Sequence, residues 1–170
     1  MSRLPTLPPA DFTEAQRTLF EHITQGKRGQ KSAVDSFLNP EGGLRGPFNA
    51  MLYSPTLGDP CQQLGAAVRF ESALPPQARE LAILTVAAHW QAQYEWWAHE
   101  KIAREEGMDE AIIAGVKTGA LPSTAPLEMT TVYRFARELL DQRMVSDRQY
   151  EETVALLGES RVVELVMLLG

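Results

Sequence analysis

Cysteine is nearly absent. The chain of 170 residues has one, Cys61, which excludes an internal disulfide framework and any paired-cysteine redox or zinc motif. Its simplest reading is a small buried thiol. An excess of basic charge is missing too. The net charge is −6, whereas a nucleic-acid partner requires a concentrated basic surface. The densest basic cluster, GKRGQK from Gly26 to Lys31, reads as a solvated loop. No apolar run approaches the roughly 20 residues that span a bilayer, so no membrane partner is expected. Three prolines in MSRLPTLPPADF stand where a signal peptide would carry its apolar core, which predicts a cytoplasmic protein. Alternating strand patterns, internal repeats and low-complexity tracts are also wanting.

What is there is an ordinary globular composition, 44% apolar and 22% charged, long enough for one domain with a full core. Helical signals dominate, and the expected fold class is all-α with about seven or eight helices. Asp11 or Thr13 caps a first helix to about Thr24. From Gly26 to Pro47 runs a glycine-rich irregular segment, long enough to suggest function or mobility. PFNAMLYS is a short helical turn, Ser54-Pro55 offers an N-cap followed by proline, and a helix spans about Pro60 to Ser72. Leu74-Pro75-Pro76 opens another helix whose LAILTVAA stretch, Leu81 to Ala88, is apolar all round and so is expected to be buried all round. Gly107 stops the next helix, and Asp109 starts a short one to about Lys117. After the PSTAP linker, helices are expected from Leu127 to Gln142, from Asp147 to Leu157 with Ser146 and Gln149 as a capping box, and from Glu159 onward. The chain closes on VVELVMLLG, an apolar tail expected to pack into the core or against another subunit.

Chemistry concentrates in QAQYEWWAHEKIAREEG, Gln91 to Gly107. Glu95 and His99 are four residues apart, so a helix puts them on one face. There a carboxylate can fix the imidazole tautomer and make an acid/base pair; the same spacing also occurs on plain solvated helix surfaces. Glu80 heads the apolar stretch, where a carboxylate needs a partner. Either it sits in the first helical turn, favoured by the helix dipole and paired with Arg79, or it is functional. A continuous helix would hold Glu80 and His99 about 28 Å apart. They meet only if the chain turns back between about Ala88 and Gln93, and HWQAQ contains no glycine or proline to announce a turn. Trp96 and Trp97, with Tyr94, either divide between core and groove or stack on a substrate. His89 reads as a helix-end histidine or, with Glu95 and His99, as a metal ligand. Arg79 and Arg104 could each grip a substrate carboxylate or form a solvent-facing salt bridge.

The segment RELAILTVAAHWQAQYEWWAHEKIAREEGMDEAIIAGVKTG resembles the core of the carboxymuconolactone decarboxylase and alkyl hydroperoxidase D-like family. An Arg-Glu, a buried apolar helix, a later histidine and a glycine-ended helix occur in the family's order. The resemblance implies an all-α bundle built on a central helical hairpin, which supplies the missing turn. It further implies a single domain over 1–170, in which an N-terminal helix and glycine-rich loop (about 1–47) precede a core (about 48–119) and C-terminal helices (about 125–170). A homo-oligomer is implied as well, a trimer or hexamer and in some members a dimer, with no metal and no cofactor. In the family's peroxidase branch two cysteines stand where this chain has Ala92 and Glu95, so thiol peroxidase chemistry, which requires an attacking and a resolving thiol, is not expected. The decarboxylase branch carries a glutamate four residues before the histidine, as Glu95 stands before His99. That implies cofactor-independent decarboxylation, or related proton transfer, on a small organic acid or lactone. His99, Glu95 and Glu80 would be catalytic, and Trp96, Trp97, Tyr94 and Arg79 would contact substrate. A non-catalytic binding or scaffold role on the same bundle is the remaining alternative. The chain departs from the decarboxylase pattern in its longer N-terminal region and its bulkier EWW environment, which leaves the substrate open.

Overall fold

The computed structural model describes residues 3–31 and 37–170. Among them are ten α-helices and no named strand, so the fold is all-α as the helical signals predict. The chain divides into two compact units, Met1–Glu71 and Ser72–Gly170.

The first unit contains α1 (Glu14–Gln25), α2 (Lys27–Lys31), α3 (Gly46–Leu52) and α4 (Pro55–Phe70). Of the two candidate caps for α1, Thr13 is the one used: its hydroxyl accepts from the Gln16 N–H, and the Gln16 side chain accepts from the Thr13 N–H. Leu19 and Ile23 of α1 meet Phe12, Phe37, Leu44 and Leu52 in a small core. Three expectations need correction here. Part of the expected solvated loop at Gly26–Lys31 is helical, with Lys27 bonded to Glu71 at 2.7 Å; of the irregular segment, 32–36 lies outside the described residues. The fourth helix begins at Pro55, not near Pro60, because Ser54-Pro55 already supplies a start; Pro60 lies inside it, and Ser54 makes no side-chain cap bond. Cys61 is exposed, not buried.

The second unit is a bundle arranged about α5 (Pro76–His89), which lies against α6 (Gln93–Glu105), α7 (Glu110–Thr118), α8 (Leu127–Gln142) and α10 (Glu159–Leu169). α9 (Asp147–Leu157) packs between α8 and α10. The apolar α5 is covered on most but not all sides: Ala78, Leu81, Ala82, Leu84, Thr85 and Ala87 are buried, while Ile83, Val86 and Ala88 are part-buried, so burial all round is not reached. Their neighbours include Val132 and Phe135 of α8 and Leu165 of α10. The apolar tail divides its loyalties. Val162, Leu165 and Leu169 enter the core, while Val163, Val166 and Met167 remain exposed. The expected capping box at α9 is half formed. Ser146 Oγ accepts from the Gln149 N–H at 3.4 Å, but the Gln149 side chain turns inward and donates to the Thr131 carbonyl and to Thr153. A buried amide with two acceptors at hand does better there than at an exposed helix end. The helix count exceeds the expectation through the two short helices α2 and α3.

Candidate active site

The α5–α6 hairpin exists, and its turn is made without glycine. α5 ends at His89, and Gln91 takes a positive φ of 53°. The Ala92 N–H bonds back to the Ala87 carbonyl at 2.9 Å and the Gln91 N–H to the Ala88 carbonyl at 3.3 Å. This is the Schellman arrangement that satisfies the last carbonyls of a helix and usually places glycine in the left-handed position. The same arrangement closes α6 at Gly107 and α7 at Gly119, both at positive φ. For a non-glycine residue the left-handed conformation costs roughly 1–2 kcal/mol, a cost the packing of α5 against α6 must offset.

The turn folds α6 back along α5 and brings His99 to Glu80. The His99 Nδ1 atom lies 2.6 Å from Glu80 Oε2. Glu80 is completely buried, at 0% exposure, and His99 nearly so at 13%. An ionised Glu80 offers only acceptors, so the ring nitrogen facing it carries the proton and donates. Burying a carboxylate without such a donor would be costly. On its other side Glu80 Oε1 lies 3.5 Å from Arg79 Nε, close enough for charge attraction but without hydrogen-bond geometry, and neither atom has a hydrogen-bond partner. Glu80 falls just beyond the first turn of α5, so its partners are these side chains and not the helix terminus.

The opposite ring nitrogen, His99 Nε2, lies 3.5 Å from Glu95 Oε2, one turn earlier on α6. Glu95 is 41% exposed. The imidazole therefore stands between a sealed carboxylate and a wet one. With Nδ1 bonded to Glu80, Nε2 is the ring nitrogen turned towards the exposed carboxylate of Glu95.

The four aromatic and basic residues expected at the site are not all placed together. Arg79 lies beside Glu80. Trp96 packs on the core of the bundle, with its Nε1–H buried and unpartnered and Lys117 Nζ 5.6 Å from its ring centroid. Tyr94 and Trp97 contact each other, with ring centroids 5.8 Å apart, and Lys101 Nζ caps Trp97 at 4.2 Å. At about 100° per residue, Tyr94 and Trp97 occupy the side of α6 opposite Glu95 and His99. Trp96 lies closer to the pair. His89 does not join Glu95 and His99; its Nδ1 lies 3.4 Å from Asp141, which bonds Arg137 at 2.8 Å. Arg104 is engaged by Glu100 and Glu110, whose hydrogen bonds raise its already high pKa, the Glu110 bond foremost. Gln91, which makes the turn, and Asp141, which takes up His89, were not singled out in the sequence. Neither carries a local signal of its role.

The model of the carboxymuconolactone decarboxylase family matches residues 55–138, from the start of α4 into α8. That span contains Glu80, Glu95 and His99. No curated protein and no solved structure matches the chain.

Proposed function

From the premise that this chain belongs to the carboxymuconolactone decarboxylase family, we propose that it catalyses cofactor-independent decarboxylation, or closely related proton transfer, on a small organic acid or lactone. The observation that carries this reading is His99 held between Glu80 at 2.6 Å and Glu95 at 3.5 Å. In the proposed step the bond from carbon to carboxylate breaks and its electron pair flows into a carbonyl or lactone of the substrate. Carbon dioxide leaves, and the resulting enolate or dienolate takes a proton at carbon from His99 Nε2. Glu80 holds the ring and stabilises the imidazolium, as a buried carboxylate behind a histidine does in other acid/base sites. Glu95 returns a proton to Nε2 from solvent. Arg79, beside the sealed carboxylate, and Trp96, with its unpartnered indole N–H, are the nearest candidates for contact with substrate. Tyr94 and Trp97 are assigned the outer rim, the weaker role.

Two features support this reading over its alternatives. A scaffold protein would leave Glu80 tied to Arg79 and away from His99, whereas its shorter contact here is with His99. A thiol peroxidase needs two thiols, and the positions in question hold Ala92 and Glu95, while the single cysteine, Cys61, belongs to α4 of the other unit. Assembly into a homo-oligomer is part of the proposal, supported by the exposed apolar side of α10 at Val163, Val166 and Met167, and light scattering of the purified chain tests it. Among the described residues no helix is long and apolar enough to cross a membrane; a cytoplasmic location is proposed from the sequence reading alone.

The direct test is His99→Gln in a turnover screen over carboxylated lactones and keto acids. The amide retains a donor for Glu80 but cannot exchange a proton at neutral pH. A loss of about 10²–10⁴-fold is expected with the helical circular dichroism signal unchanged. A variant as active as the parent would remove His99 from the chemistry.

A further inference from the structure

The two oxygens of the Glu80 carboxylate keep different company. Oε2 lies 2.6 Å from His99 Nδ1 and takes its hydrogen bond. Oε1 is sealed from solvent without a hydrogen bond and faces Arg79 Nε at 3.5 Å. That nitrogen is sealed and unbonded as well. The Arg79 side chain is 11% exposed, and among the described residues it pairs with no other carboxylate. Holding a guanidinium this far out of water is costly, and no hydrogen bond to Glu80 offsets the cost. What Arg79 supplies to Glu80 is therefore charge.

Glu80 and Glu95 flank the imidazole at 2.6 and 3.5 Å, so the two carboxylates and the one guanidinium are balanced only when His99 is cationic. In that state the proton between Glu80 and Nδ1 has two places to sit. On the nitrogen it makes an ion pair; on Oε2 it makes a carboxylic acid bonded to a neutral ring. Away from water the uncharged arrangement is favoured unless a further charge stabilises the ion pair. The guanidinium beside Oε1 is such a charge.

We propose that Arg79 is a positioning residue of the His99 site: its charge keeps Glu80 a carboxylate and so keeps the proton on Nδ1, which leaves Nε2 as the nitrogen that exchanges a proton. With the proton on Oε2 the ring turns to the opposite tautomer. Nδ1 then accepts, Nε2 is already protonated, and Nε2 can no longer take a proton. Arg79 acts here through Glu80 and by its Nε edge, and its terminal nitrogens are left to any substrate. The bearing on turnover rests on the acid/base role proposed for His99; the placing of the proton does not.

The test reads the ring directly. The full-length chain has three histidines, so long-range 1H–15N correlation spectra of the 15N-labelled protein at neutral pH separate the imidazoles, and His99→Gln identifies the His99 signals by their loss. In the parent, Nδ1 of His99 is expected in the protonated range. Arg79→Gln and Arg79→Met, both neutral, should move Nδ1 towards the unprotonated range and Nε2 towards the protonated one, while the His22 and His89 rings stay where they are. Arg79→Lys retains the charge and should retain the parent pattern. A parent Nδ1 without its proton would overturn the proposal. So would the parent pattern in either folded neutral variant, the neutral pattern in Arg79→Lys, or a change shared by all three rings. Turnover is read separately, in the substrate screen, so a failed decarboxylase reading and a misplaced proton are told apart.

Discussion

His99 and His89 lie on the two arms of one hairpin, and each presents Nδ1 to a carboxylate from a neighbouring helix. The resemblance ends with the surroundings. His99 meets Glu80 at 2.6 Å, where the carboxylate has no exposure. His89 meets Asp141 at 3.4 Å, where the carboxylate is 43% exposed and already bonded to Arg137. Water and the Arg137 hydrogen bond share Asp141, whereas Glu80 is sealed between the imidazole and the Arg79 guanidinium, which lies 3.5 Å from its other oxygen without hydrogen-bond geometry. A histidine and a carboxylate therefore make a close, buried pair in one place and a longer surface contact in the other. The third histidine, His22, sits with Asp59 at 3.0 Å on an exposed face of the first unit and belongs with the surface kind. The spacing of a histidine and an acid does not separate the two cases; the burial of the acid and the length of the contact do.

The sharpest way to break this comparison is catalytic. His89→Gln should leave turnover within about twofold of the parent, against the loss of two or more orders of magnitude expected for His99→Gln, both read as kcat/KM on whichever substrate the screen yields. Stability should separate them next. His99→Ala strands a buried charge and is expected to cost about 3–5 kcal/mol in urea denaturation near neutral pH. His89→Ala should cost under about 1 kcal/mol, as exposed pairs do. Equal costs would mean that burial is not what distinguishes the two. The turn that joins the arms should respond in the opposite direction. Gln91→Gly relieves the left-handed strain and is expected to stabilise by up to about 1 kcal/mol, whereas Gly107→Ala, which imposes that strain at the far end of α6, should destabilise by a similar amount. The smallest effect concerns Asp59. A hydrogen bond from Gln62, with a smaller contribution from His22, holds its carboxyl below the ordinary value of 3.8. A depressed folded-state value means that its contribution is present above pH 3.8 and fades as the pH falls through the lower folded value. Asp59→Asn should therefore narrow the difference in melting temperature between pH 6 and pH 3 slightly, and no more than slightly, because the group is near the surface.

The parts of the fold legible in the sequence are those with local punctuation. α8, α9 and α10 begin directly after Pro126, Ser146 and Gly158, and their bounds follow the reading closely. The start of α4 is ambiguous in the sequence because two prolines, Pro55 and Pro60, each make a plausible first residue, and only packing chooses between them. The Ser146 spacing allows the Gln149 amide to serve as a cap; the pull of Thr131 and Thr153 comes from tertiary structure. At the site, the Glu95–His99 neighbourhood follows from helical periodicity alone. The approach of Glu80 does not, since it depends on a reversal at Gln91 that no residue announces, and only the family resemblance anticipated it.

The turn at Gln91 also sets a phase. Glu80 lies eleven residues before it and His99 eight residues after it, so the ring and the carboxylate meet only if both helices leave the turn at the correct rotation. Adding or deleting one residue there would swing His99 about 100° around the axis of α6, away from Glu80 and into the place now held by a neighbour. The hairpin can thus absorb many changes of residue type at its tip and hardly any change of length. Its three-residue connection is in effect a clocking mark, and the meeting of Glu80 with His99 keeps time by it.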